Sequence, residues 1–492
     1  MHRSDWRAVL DAVGPAALAY LDSLPERRVY PEGGHDQIRA ALDHGLAASG
    51  CDPAEVVAQL ARDLEPYVTA HASGRFFGFV IGGLHPAAWG AELLVSTWDQ
   101  NAGLYPPTPG VAVVEELAAQ WLLDLLALPA DSSVGFVTGG QMATFTCLAA
   151  ARDQVLRDAG WDVEADGLAG APKVTVVLKE GVHSTVPRAL RFLGLGERAA
   201  VMVPCDEQDR VRPDALADVL RSVSGPTILT VEAGNVNTGS FDDFHAVADL
   251  VQEHRAAGSP TWAHVDGAVM LLAAASPAMA AYTAGLDRFD SWSTDAHKLL
   301  NVAYDCGVAI CRHPAAHRAA MSVQASYLEQ GAGPRDAMDW NPEFSRRARG
   351  VGVYATLRSL GRDGVAELVD RTVRLAARFA EALQDSGRAV VVNDVVANQL
   401  LVRWLADDGD GGEAALDRVM SGVRAEGLAY FSGTTYRGER LMRISVSDWA
   451  TDEDDVDRVV EGLLRYAQPA PSLPAGESRS RRARRHQPRE DR

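Results

Sequence analysis

Positive charge, paired cysteines and long apolar runs are all scarce in this 492-residue chain. The formal net charge of −19 excludes nucleic acid as a general partner, because phosphate backbones need a basic face. Five cysteines (Cys51, Cys147, Cys205, Cys306 and Cys311) are scattered, odd in number and without C-x-x-C spacing. That rules out a disulfide framework and a zinc site, and predicts reduced thiols in a cytoplasmic protein. No uncharged apolar run approaches the roughly 18 residues of a membrane span, which predicts no membrane partner. Residues 1–14 carry acids and lack the continuous apolar stretch of a secretory signal. Neither G-x-x-x-x-G-K-[ST] nor G-x-G-x-x-G occurs at the chain's one strand–Gly-Gly–helix junction, so nucleotide fingerprints do not fit there.

What is present reads as an enzyme of more than one domain, since 492 residues exceed a single core of usual size. Residues 1–74 are amphipathic and helical in pattern, punctuated by Pro31-Glu32-Gly33-Gly34 and Asp52-Pro53, and predict an N-terminal helical arm. Over 75–350, short β-branched runs alternate with helical stretches. Strands are expected at Ser133–Thr138, Val174–Leu178, Thr227–Val231, Thr261–Val265 and Gly307–Cys311, with helices at Met142–Leu156 and Pro213–Arg221. Such alternation implies an α/β fold with a mostly parallel sheet covered on both faces, and ligands at the carboxyl ends of its strands. Residues 351–468, with a long helix pattern at Val365–Leu383 and strands near Ala389–Asn393, Leu400–Trp404 and Arg443–Ser447, predict a small α+β domain. From 469 to 492 the composition turns to Pro, Ser and Arg, too polar to pack, which predicts a disordered basic tail.

Four segments carry chemistry. In Asp295-Ala296-His297-Lys298-Leu299-Leu300, a lysine lies between a histidine and an apolar pair. Desolvation lowers such an amine's pKa and frees it for Schiff-base formation, though taken alone a surface lysine opening a helix explains it better. In Trp262-Ala263-His264-Val265-Asp266-Gly267-Ala268 an apolar strand ends in a carboxylate, which when buried needs a cationic or donor partner. A pyridinium nitrogen is one such partner, and an ordinary capping aspartate is the competing explanation. In Val137-Thr138-Gly139-Gly140-Gln141-Met142 two glycines join a strand to a helix start, where open N–H groups cradle a phosphate or simply form a turn. In Glu180-Gly181-Val182-His183-Ser184, an imidazole after a strand can stack on a planar ring or serve as an ordinary structural histidine. The ordered set of phosphate loop, stacking histidine, ring-nitrogen aspartate and lysine is far more specific than any member. It points to pyridoxal 5′-phosphate (PLP).

The blocks Trp98-Asp99-Gln100-Asn101, Thr138–Thr144, His183-Ser184, Gly234-Asn235-Val236-Asn237-Thr238-Gly239-Ser240-Phe241-Asp242, His264–Ala268 and Asp295–Lys298 resemble those of the PLP-dependent group II decarboxylases. This aromatic amino acid and glutamate decarboxylase-like resemblance covers Arg75 to Arg347 and, more loosely, extends to Trp449. It implies the aspartate-aminotransferase-type fold (fold type I) and a homodimer acting on a small amino acid. It also implies that Lys298 is the Schiff-base lysine, that His183 stacks on the ring, and that Asp266 pairs with the ring nitrogen. Ala268 would lie against the ring, Gly139, Gly140, Gln141 and His297 would line the phosphate, and Asn235 would sit near the cofactor in place of a usual threonine. The expected reaction is decarboxylation of an L-amino acid.

Two departures stand out. The family's Ser-Glu-Ala is Gln141-Met142-Ala143 here, leaving backbone N–H groups to hold the phosphate. The mobile-loop tyrosine that reprotonates Cα in aromatic decarboxylases is replaced by Ala337, with Tyr327 nearby in sequence. The product thus stays open between amine and aldehyde. Other carbon–carbon lyase chemistry, transamination and a PLP-binding protein without turnover are the competing readings. The apolar arm Phe76–Gly83 and the block Tyr105–Gly110 are expected to wall a pocket suited to a hydrophobic or aromatic side chain.

Overall fold

The computed structural model describes residues 5–322, 334–405 and 412–467. Tyr327 and the arginine-rich segment 469–492 lie outside these residues.

Three helices, α1 (Asp5–Ser23), α2 (His35–Leu42) and α3 (Pro53–Leu64), open the chain. Asp52 caps α3 by accepting from the N–H groups of Ala54 and Glu55, and Pro53 fills the first-turn position where no N–H is needed. Two further helices, α4 (Pro86–Trp98) and α5 (Pro109–Leu125), lead into a sheet of seven strands.

These strands are β1 (Ser133–Val137), β2 (Thr175–Lys179), β3 (Val201–Val203), β4 (Thr227–Glu232), β5 (Thr261–Asp266), β6 (Ser291–Asp295) and β7 (Gly307–Cys311), in the order β1-β7-β6-β5-β4-β2-β3. Strand β7 runs antiparallel to both its neighbours and the other pairings are parallel, so β1 to β6 all end at one edge.

Both faces are buried, which is why the strands read as continuous apolar runs rather than alternations. On one face Val176, Leu178, Ile228 and Trp262 pack against Cys147, Leu148, Ala151 and Val155 of α6 (Gly140–Asp158). On the other, Phe136, Val177, Leu229, Val265 and Trp292 meet Leu122, Val247, Val353 and Leu357. Each such side chain contributes about 1.5–3 kcal/mol on leaving water.

Strand β6 has no counterpart among the strands expected from the sequence, and its polar composition explains that. Its serines are satisfied internally: Trp262 Nε1 donates to Ser291 Oγ at 2.8 Å, and Ser293 Oγ lies 3.1 Å from Thr144 Oγ1. Buried hydroxyls with partners cost little, but they carry no apolar signal.

A second, antiparallel sheet contains β8 (Ala389–Val391), β9 (Gln399–Trp404), β10 (Ser432–Tyr436) and β11 (Glu439–Ser445), in the order β10-β11-β9-β8. Alternate residues Leu400, Val402, Met442 and Ile444 face a separate core with Phe379, Val419 and Val459. A helical run, Gly350–Asp385, broken at Gly361 (φ +65°) into two helices, serves both cores: Val353, Leu357 and Val365 belong to the first, and Leu375, Phe379 and Leu383 to the second. The second of the two helices starts after Gly361, close to the expected Val365, and the first, before the break, has no counterpart among the helices expected from the sequence.

Candidate active site

The edge where β1 to β6 terminate gathers the residues singled out from the sequence. Gly139 and Gly140 follow β1, His183 lies four residues beyond β2, Asn235 three beyond β4, and Asp266 ends β5. His297 and Lys298 follow β6. Gln141 lies at the start of α6, where its Nε2 donates to the Thr185 carbonyl at 3.1 Å.

Residues 262, 264 and 266 share one face of β5 by the two-residue period, so Asp266 projects from the same side as the packed Trp262 and His264. Asp266 is buried. The Ala268 N–H donates to its Oδ1 at 3.1 Å, and among the described residues no Lys or Arg pairs with it. Burial raises its pKa, repulsion from Glu232 adds to that, and His183 and His264 oppose it. Glu232 is its register partner on β4. An under-partnered carboxylate at the floor of a strand edge fits a cationic ring nitrogen.

The chain contains three lysines: Lys173, which is exposed, Lys179, which is buried in an ion pair with Glu232, and Lys298. Lys298 is therefore the lysine at this edge left available for covalent chemistry. Its Nζ lies 2.8 Å from Asp295 Oδ2, and its side chain is 19% exposed. Asp295 also accepts from the N–H of Gly140 at the start of α6, and faces His297 Nε2 at 3.4 Å.

The helix N-terminus expected to cradle phosphate thus holds a carboxylate of the protein's own, and the Gly140 N–H is engaged. Gly139 has φ +154°, a conformation an L side chain rarely adopts, and a Cβ on Gly140 would overlap Asp295. The N–H groups of Met142 and Ala143 bond the Gly139 carbonyl, leaving those of Gly139 and Gln141 as open donors among the described residues. The position suits an anion on field and geometry alike.

His297 accepts from the Cys306 N–H through Nδ1 at 3.0 Å, which assigns its proton to Nε2, on the side of Asp295. Its ring stacks on Tyr304 at 4.2 Å, and burial lowers its pKa. His183 Nδ1 lies 2.8 Å from Thr185 Oγ1, and its main-chain N–H donates to Glu232 at 3.1 Å. Asn235 uses both ends of its amide inside the protein: Nδ2 donates to Glu232 at 2.9 Å, and Oδ1 accepts from the N–H groups of Asn237 and Thr238. Ala268 is partly buried beside Asp266.

The arm 76–83 runs alongside. A Cβ on Gly82 would overlap the Lys298 carbonyl, so only glycine lets the two backbones approach this closely. Phe76 stacks on Tyr430 with centroids 4.8 Å apart, while Phe79 stays 57% exposed.

Sequence reasoning missed Arg443, because it lies inside a strand pattern. Its guanidinium is buried, donates to Asn237 Oδ1 at 3.3 Å, and leaves Nε without a partner. Burial lowers its pKa. Two residues along β11, the Ser445 N–H bonds the Phe77 carbonyl at 3.0 Å, which ties this strand to the arm.

Ala337 lies in the short helix Ala337–Trp340 against the edge strand β1, lining a small cavity with Val134 and Phe136.

The conserved domain described as pyridoxal-dependent decarboxylase matches residues 36–404. The chain belongs to that family. PLP is its cofactor, and amino-acid decarboxylation is its reaction. Among its relatives, tryptophan decarboxylase 1 of Oryza sativa subsp. japonica is 26% identical over 81% of this chain and 81% of its own. The 4-hydroxyphenylacetaldehyde synthase of Rhodiola rosea is 23% identical over 91% and 92%. The crystal structure of Oryza sativa TDC with PLP and tryptamine superposes with a TM-score of 0.86 at 23% identity, covering 95% of this chain and 98% of the other. That likeness bears out the α/β, fold-type-I architecture.

Proposed function

We propose that this edge holds PLP on Lys298, and that the chain decarboxylates an L-amino acid with a hydrophobic or aromatic side chain. The observation that carries the site is Asp266, a buried carboxylate with no Lys or Arg partner among the described residues. Bound PLP supplies an electron sink for the pair released when the Cα–carboxylate bond breaks.

The chain's own residues supply the rest. Lys298 is the amine for the cofactor's aldehyde, and Asp266 keeps the ring nitrogen protonated. The open N–H groups of Gly139 and Gln141, together with His297, hold the phosphate, with Gly140 between them lining its seat; Ala268 lies against the ring, and Asn235 fixes the loop that follows β4. His183 covers the ring and is the proton donor at Cα. Arg443 orients the substrate's carboxylate, since its guanidinium has no carboxylate partner among the described residues and lies next to the arm. Phe79 and Ile81 supply an apolar wall, which favours an aromatic side chain over an acidic one.

Apolar surface that the single chain leaves open supports a homodimer. Val56, Leu60 and Leu64 form an exposed stripe at four-residue spacing on α3, which has no buried residue. Leu94, Trp98, Val111 and Tyr354 line a groove of about 830 Å³ between α4, α5 and the helix that starts at Gly350. A second copy is the occupant that would bury both. All five cysteines are free, which fits a cytoplasmic setting.

Product analysis with a panel of L-amino acids tests the reading: CO₂ with amine is expected. One observation favours a second outcome. Ala337 has no hydroxyl to return a proton, so CO₂ with aldehyde and ammonia, formed at the expense of O₂, would mark oxidative deamination instead. Keto acid without CO₂ would mark transamination, and no turnover at all would mark a binding protein.

A further inference from the structure

Beneath the candidate site lies a charged cluster that the proposed chemistry does not use. Lys179, at the end of β2, is 1% exposed. Its Nζ lies 2.8 Å from Glu232 Oε2 and 3.8 Å from Asp242 Oδ2. Glu232 fans out from there: Oε2 also accepts from Asn235 Nδ2 at 2.9 Å, and Oε1 accepts from the His183 N–H at 3.1 Å. Asp242 accepts from the Val211 N–H at 2.6 Å and the Glu232 N–H at 2.8 Å. Two site residues, His183 and Asn235, are thus anchored on one buried carboxylate, and that carboxylate is the register partner of Asp266.

A salt bridge this deep seldom contributes net stability, because desolvation offsets its Coulomb gain. Its retention directly beside Asp266 therefore points to a part in setting the field there. We infer that Lys179 and Glu232 are positioning residues: Lys179 neutralises Glu232 so that Asp266 stays ionised beneath the cofactor nitrogen, while Glu232 holds His183 and Asn235 in place. This rests on the PLP reading above.

The electrostatics agree with the geometry. Burial works against the charge of Lys179, but Asp242 and Glu232 outweigh it and raise its pKa. Burial also works against Glu232, and Lys179 outweighs it, holding the carboxyl below its usual range. Asp242 is raised by burial despite Lys179. The other titratable groups facing the cluster are Cys205, pushed up to about 12 chiefly by burial, Asp209, and His183 and His264 on the Asp266 side.

The sign of the effect can be fixed in advance. Removing the Lys179 charge leaves Glu232 uncompensated, and a like charge raises the proton affinity of Asp266. Removing the Glu232 charge lowers it. The readout is the PLP dissociation constant across pH, followed by absorbance of the bound cofactor. Binding weakens on the acid side as Asp266 takes up a proton.

In Lys179→Met that acid limb should move up by about one pH unit, so that affinity at pH values below the limb falls about tenfold. In Glu232→Gln, whose one carbonyl oxygen can still accept from Lys179 and Asn235 but whose amide NH2 cannot accept from the His183 N–H, it should move down. The double variant should return it to the wild-type position. Limbs moving in the same direction in both single variants, or in neither, would overturn the inference, since a merely structural role predicts lost stability without opposed shifts. If Lys179→Met does not fold, Glu232→Gln decides alone: a downward shift supports the inference, and no shift or an upward one overturns it. Asp266→Asn separates the two levels. It should abolish the acid limb, and a limb that survives would overturn the Asp266 reading along with this inference.

Discussion

Beside β1, Arg346 donates to both oxygens of Glu115 at 2.6 and 3.0 Å and to the Ala102 and Phe136 carbonyls, and Glu115 also accepts from the Gly350 N–H. Nearby, the buried His317 lies 2.8 Å from Ser133 Oγ and 3.1 Å from the Trp340 carbonyl. At the carboxyl edge of the sheet the pattern reverses. Among the described residues Asp266 has one backbone donor, Arg443 one amide oxygen, and Lys298 the carboxylate of Asp295. Both regions are buried and charged. The first sets each charge against an opposite one, Arg346 against Glu115, and so ties chain segments together although Arg346 Nε goes without a partner; the second leaves the charges of Asp266 and Arg443 uncompensated, and that capacity is what a cofactor and substrate can use. Polar burial alone does not mark a site. Buried charge with no opposite charge beside it, as at Asp266 and Arg443, is what distinguishes this edge.

The largest test of this contrast is Lys298→Ala. It should leave the fold intact while lowering decarboxylation by on the order of 10⁴-fold, measured as CO₂ release. On the paired side, Arg346→Met should do the opposite, costing roughly 3–5 kcal/mol in urea unfolding by leaving Glu115 buried and unpaired.

Burial lowers the pKa of His317 from 6.5 to about 3, with Arg335 adding to it. A base whose folded pKa is depressed takes up a proton first when unfolded, so its contribution is present above pH 6.5 and is lost as pH falls through 3. On the order of 4 kcal/mol should be lost across that window, and His317→Gln should flatten the acid limb of the unfolding midpoint. Asp266→Asn should weaken PLP binding and turnover by about a hundredfold with little change in Tm. The smallest effect is expected for Arg443→Met: KM for the amino acid should rise about tenfold while kcat changes less.

The strands of the large sheet were legible because burial on both faces writes β-branched runs, as at Thr227–Glu232 and Thr261–Asp266. The edge they share was legible in part, since Gly139 and His183 follow such runs and Asp266 ends one, whereas Lys298 follows the polar β6. What escaped was pairing across distant segments. Lys179 reads as the polar end of a strand, and only the fold brings Glu232, 53 positions away, to its ammonium. Arg443 reads as the start of a strand, and only the fold brings Asn237, 206 positions away, to its guanidinium. Asp295 gave no sign that it would reach the start of α6, 155 positions earlier. A signal was nonetheless available: with three lysines in 492 residues, each had a strong claim to a specific role.

Borohydride reduction of the PLP-loaded protein, followed by peptide mapping, tests the central claim most directly. The account predicts a single pyridoxyl group, on Lys298. A label on Lys173 or Lys179, or none at all, would contradict it.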